Sequence, residues 1–193
     1  MSVKVFDDSD PVMKRSIELM GGQQAAAAAF DADFSAMNTR WDQDVSAIGR
    51  ILRAHLYVEH YLTEHLQQVN PRLPDLDEAK LNFFQKVLLL DGNWNIGIRQ
   101  LVPGIQRLNK VRNRLAHNLA AVVTDEDVTV FLSGPTFRHM RNEIGRQSGT
   151  EVAKDPLDIL EEFAKFAAST LHNSSSAFGK AYEQAIKEHL ATP

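Results

Sequence analysis

At 193 residues the chain is long enough to fill one core, and its length does not call for a second domain. Apolar residues make up 44% and charged residues 24%, with a net charge of -4, so no global positive field draws in nucleic acid and a polyanion must meet a local patch. Cysteine is absent, which excludes disulfides, thiol nucleophiles and cysteine-ligated zinc.

The N-terminal residues MSVKVFDDSDP hold no apolar stretch of signal-peptide length. No segment approaches the roughly 20 apolar residues that span a bilayer. The expectation is a cytoplasmic protein without membrane contact. Asp10-Pro11 reads as an N-cap followed by proline in the first turn of a short helix, which Gly21-Gly22 closes. The Ala-rich residues 23 to 36 favour helix on propensity but bury little, and read equally as a helix or a mobile arm.

Thr39 then caps the longest periodic segment, about 41 to 68, with Trp41, Val45, Ile48, Leu52, Leu56, Leu62 and Leu66 on one stripe at about 100° per residue. Asn70-Pro71 and Leu73-Pro74 end it. A helix from Asp77 to Asp91-Gly92 follows, with Leu81, Phe84, Val87 and Leu88 as its buried face. Asn93 to Leu101 is a loop or short helix, and Pro103 opens a helix running to about Leu119. Residues 120 to 154 break the pattern. Val128 to Leu132 reads as a short strand, Ser133-Gly134-Pro135 as a turn, and Thr136 to Gln147 as another short helix. Asp155-Pro156 is a second cap-and-proline start for a helical pattern from Leu157 to Leu190, interrupted near His172 to Ser176. No internal repeat is visible. These elements predict an all-α fold: an up-and-down bundle of five to seven helices in a single domain over 1–193, with 120–154 as an irregular, short β-containing excursion.

The charge pattern singles out one helix. Between Asp91 and Asp125 there is no acidic residue, whereas Arg99, Arg107, Lys110, Arg112 and Arg114 all fall there. Stepping about 100° per residue from Ile105 puts Leu108, Val111, Leu115 and Leu119 in one arc. Arg112 falls inside that arc. Asn109, Asn113 and His117 line one edge, and Arg107, Lys110 and Arg114 point away. A guanidinium on an apolar face needs a partner or a polar crevice. Glu59, on the apolar stripe of the 41–68 segment with His55 one turn before it, is the candidate partner. A buried Glu59–Arg112 pair that only fixes helix register is the competing reading.

Arg112, Asn113 and His117 together suit a phosphate centre. Arginine offers a permanent bidentate fork for phosphate oxygens, histidine both takes and gives a proton near neutral pH, and asparagine orients either. Such a set supports RNA cleavage without metal or cofactor, in which a base activates the 2′-hydroxyl for attack on the adjacent phosphorus. One arginine and one histidine make a thin site, which a second copy across a symmetric interface doubles. The string Leu108-Asn109-Lys110-Val111-Arg112-Asn113-Arg114-Leu115-Ala116-His117-Asn118 resembles the signature helix of the HEPN superfamily, an arginine and a polar residue with a histidine about five positions after the arginine. Arg112, Asn113 and His117 match those positions, and the resemblance covers about residues 45 to 120.

The resemblance implies a helical bundle acting as a homodimeric, metal-independent endoribonuclease with toxin or defence roles. Its partners are RNA and an antitoxin or regulatory protein. Arg112, Asn113 and His117 are then catalytic, with Glu59, Asn109 and His55 supporting them and Lys110, Arg114 and Arg107 binding RNA. A fainter resemblance to mannitol-operon-repressor-like bundles implies the alternative, a non-catalytic regulatory or binding module. His55, His60 and His65 recur every five residues, about 140° apart on a helix, so no shared metal is expected. Trp41, Tyr57, Tyr61, Phe83 and Phe84 read as packing residues. No P-loop, dinucleotide glycine pattern, HExxH or nucleophile elbow is present.

Overall fold

A computed structural model describes residues 9–42, 44–71, 78–91, 96–117, 122–149 and 151–191. Among these the protein is all α-helical. No described helix is long and apolar enough to cross a membrane. The chain divides into two compact units, Met1–Asp44 and Val45–Pro193.

In the first unit, α1 (Pro11–Leu19) starts as the sequence predicts: the Asp10 carboxylate accepts from the Val12 amide at 2.8 Å, with proline in the first turn. Gly21 and Gly22 take φ of 89° and 106°, a left-handed stop open to glycine. The Ala-rich stretch, left open between helix and arm, is helical: α2 spans Gln23–Trp41. Trp41 therefore ends α2 and is 85% exposed. Thr39 is no cap; it lies inside α2 and its hydroxyl donates to the Ser35 carbonyl at 2.9 Å.

The second unit begins with α3 (Val45–Val69). Its buried face is Ile51, Ala54, His55, Val58, Leu62, His65 and Leu66, while Val45, Leu52 and Leu56 are exposed. The predicted stripe is thus rotated by about one residue. α3 carries apolar side chains over more than half its circumference, and the half that meets neighbouring helices is the one buried. α4 (Phe83–Asp91) is capped by a reciprocal pair: Asn82 Oδ1 accepts from the Gln85 amide at 3.0 Å, and Gln85 Oε1 from the Asn82 amide at 2.9 Å. Phe83, Val87 and Leu90 are buried; of the predicted face Val87 is buried and Leu81 packs against the core, whereas Phe84 and Leu88 are half exposed. Asp77, Asn93 and Leu119 lie outside the described residues.

α5 (Ile96–Arg99) is a single turn before α6 (Val102–His117). The expected strand at Val128–Leu132 is instead part of α7 (Asp125–Phe131) and its C-cap. Thr124 and Asp127 form a capping box, and three acidic residues in the first turn complement the helix dipole. That local chemistry outweighs the β-branched composition. α8 (Pro135–Ser148) ends at Gly149 with φ of 63°. α9 (Pro156–Ser175) opens on the Asp155 cap, and α10 (Ala177–Ala191) follows after the predicted interruption. The described helices number ten, above the five to seven expected, with α5, α7 and α10 standing as separate elements.

α3 and α9 are the principal packed pair. Arg50 meets Asp158 and Glu161, Arg53 meets Glu161, and Glu64 lies 3.6 Å from His172. A spacing near 108 residues holds along the whole contact, so the two helices run in the same direction. Their buried faces join α6 through Ile105, Leu108, Val111 and Leu115. Gly104 allows close approach of α6 to α9: a Cβ there would sit 2.2 Å from the Phe163 ring.

Candidate functional site on helix α6

α6 buries Ile105, Leu108, Val111 and Leu115 and presents Lys110, Arg112 and Asn113 to solvent. Arg112 is therefore not the buried cation that helical phase predicts. It lies about 70° from the centre of the Leu108–Val111–Leu115 arc, at an edge where a long side chain reaches water. Its Nη1 donates to Asn113 Oδ1 at 3.2 Å, and it has no acidic partner among the described residues. His117 is the last residue of α6, one turn beyond Asn113, and its side chain lies outside the described residues.

Glu59 pairs with a different cation. Lys86 Nζ donates to Glu59 Oε1 at 3.2 Å, so the expected Glu59–Arg112 bridge is replaced by Glu59–Lys86. Sequence reasoning missed Lys86. Its signal was a lysine in phase with Phe83, Val87 and Leu90, inside FFQKVLLL. The ammonium is 8% exposed at its side chain, and the carboxylate satisfies it.

His55 lies between Glu59 on α3 and Asn109 on α6. Its Nε2 donates to Asn109 Oδ1 at 3.3 Å, and Nδ1 is 3.9 Å from Glu59 Oε2. The ring lies against Phe83 at a centroid distance of 4.2 Å, tilted by 31°. Burial pushes the His55 pKa below its ordinary value, Asn109 and Glu59 oppose this, and Arg112 adds to the lowering. His55 is thus neutral near pH 7 and holds Asn109 on α6. Next to it, Leu56, Glu59, His60, Thr63, Gln67 and Lys86 line an open groove of about 620 Å³.

Two other cations of α6 are engaged. Arg107 meets Glu126 at 2.6 Å and Asp127 at 3.4 Å, and Arg114 grips Asp127 with both terminal nitrogens and donates to the Val122 carbonyl. Asp127 is fully buried. Desolvation pushes its carboxyl up, but hydrogen bonds from Arg114 and Thr124 outweigh this and hold it below the usual range. Arg107 and Arg114 therefore tie α7 to α6, while Lys110 and Arg112 are both exposed on different sides of the helix, about 160° apart.

The three regularly spaced histidines go separate ways. His55 contacts Asn109, His60 packs edge-on to Tyr61, and His65 Nδ1 is 2.9 Å from the Ser174 hydroxyl. Among the described residues no group of three histidine or acidic side chains is placed to hold a metal ion. Comparison of the chain with protein-family models, with curated proteins and with solved structures finds no match.

Proposed function

We propose that the chain is a metal-independent endoribonuclease centred on Arg112, Asn113 and His117 of α6, with the centre completed by a second copy in a homodimer. The observation that carries this reading is the solvent-facing Arg112 guanidinium, steadied by Asn113 and not neutralised by a carboxylate among the described residues. An exposed, preset cation is what a phosphate needs, and a buried structural ion pair would not leave one. His117, one turn further along the helix, acts as the proton carrier. It takes the 2′-hydroxyl proton as that oxygen attacks phosphorus, and Arg112 stabilises the negative charge that builds on the phosphate oxygens. The protonated ring, or that of the second copy, returns a proton to the departing 5′-oxygen. His55, Asn109 and Glu59 support α6 from behind. Lys110, on another side of α6 from Arg112, is left to a separate contact with the RNA backbone. Toxin or defence use, with a protein antitoxin as regulator, belongs to the same reading.

The test is cleavage of single-stranded RNA in EDTA by the wild type and by His117→Ala and Arg112→Ala. Both variants are expected to lose at least 100-fold in rate with unchanged circular dichroism and melting temperature. A wild type that leaves a broad RNA pool intact overturns the proposal. One observation favours the second reading, a non-catalytic regulatory module: Arg107 and Arg114, two of the four cations on α6, are spent on Glu126 and Asp127. Under that reading both variants keep the wild-type affinity for a protein or nucleic-acid partner.

A further inference from the structure

His55 sits where α3, α4 and α6 meet. Its Nε2–H is given to Asn109 on α6, so in the neutral ring Nδ1 is bare and lies 3.9 Å from Glu59 Oε2. A proton added to the ring therefore lands on Nδ1, facing that carboxylate. Glu59 is already shared, because Lys86 of α4 donates to its Oε1 at 3.2 Å. Arg112 follows Asn109 by three residues on α6, one helical turn along, and its charge opposes a charge on the ring. Asp158 and Glu161 of α9 are directed elsewhere: they pair with Arg50 and Arg53, about 140° to 160° around α3 from His55.

We propose that His55 is a proton-linked gauge of the anion at Arg112: a phosphate on the guanidinium and a proton on the imidazole favour one another. A charged His55 joins Lys86 and Arg112 as a third cation around one carboxylate. Glu59 cannot neutralise all three, and the ring is only 6% exposed, so water makes up little of the deficit. A phosphate held by Arg112 supplies the missing negative charge from the α6 side. By reciprocity, the proton tightens the hold on the phosphate by the same factor as the phosphate tightens the hold on the proton. Burial sets the titration of the ring below the ordinary histidine range, so the form that binds the anion more tightly fills as the solution turns mildly acidic. This linkage rests on the phosphate role proposed above for Arg112 and gives it an acid-dependent control. His55 touches no reacting atom and is a positioning residue, acting through Asn109 and through its charge.

A short all-deoxy oligonucleotide is the probe, because it has no 2′-hydroxyl and its phosphodiesters do not titrate near neutral pH. NMR of the full chain follows the His55 ring between about pH 4.5 and 8 at low salt, with its signal assigned through His55→Gln. Saturating probe is expected to raise the His55 midpoint in the wild type. In Arg112→Ala the midpoint should start higher and ignore the probe, and in Glu59→Gln it should start lower. Between about pH 7.5 and 5 the probe should gain about threefold more affinity for the wild type than for His55→Gln. A His55 midpoint that saturating probe leaves in place, one that moves equally in Arg112→Ala, or a probe that does not bind overturns the linkage. RNA cut in EDTA with an unmoved midpoint strikes the linkage alone, whereas a raised midpoint with intact RNA strikes the nuclease reading alone.

Discussion

Asp127 shows how one residue binds two elements. Its carboxylate is buried, closes the Thr124 cap through the 2.8 Å bond to the Thr124 amide, and receives Arg114. Asp127→Asn removes the charge that both arginines face, and should cost about 3 kcal/mol in urea unfolding, the scale for breaking a buried pair. Because its folded pKa is depressed, the carboxyl's contribution is present above its unfolded value near 3.9 and is lost as pH falls through the lower folded value. The buried histidines work at milder pH. Burial lowers the pKa of both His55 and His65, so the unfolded chain takes up protons that the folded chain refuses as pH drops below about 6.5. The melting temperature should fall between pH 7.5 and 5.5, and His65→Gln should narrow that difference. An unchanged melting temperature over that range would contradict the burial of these rings.

Gly104 is the matching test for α6 and α9. Gly104→Ala pushes a methyl into the Phe163 ring, which is itself packed on Phe131 and Phe137. Overpacking of that kind should destabilise by about 2 kcal/mol, and Phe163→Leu in the same chain should recover part of it. Helix starts were the most legible elements, because Asp10-Pro11 and Asp155-Pro156 act within one turn and need no distant partner. The α7 start was as local, yet Val128-Thr129-Val130 hid it: a β-branched run masked the Thr124–Asp127 box four residues earlier. Buried faces were less legible. α3 is apolar on most sides, so its sequence does not say which half meets α9. Helical phase orders Arg112 relative to Leu108 and Leu115 but cannot say how far the neighbouring helix extends around them.

For the molecule as a whole, the all-α bundle follows from periodicity and low glycine and proline content, with 10 and 7 of each. The same-direction pairing of α3 and α9 does not, since residues about 108 apart leave no local trace of one another. The candidate site divides similarly. His55 lies against both Asn109 and Glu59, a grouping that helical phase alone does not specify, and Lys86 rather than Arg112 completes the ion pair with Glu59. That exchange frees Arg112 for solvent, and the proposed chemistry depends on it. The most direct measurement offers the protein an RNA oligonucleotide and its all-deoxy counterpart in EDTA and identifies the new ends. The account predicts that only the RNA is cut, leaving 2′,3′-cyclic phosphate, and that Arg112→Ala abolishes the product. Equal cutting of the deoxy strand, or intact RNA after prolonged incubation with folded protein, would contradict it.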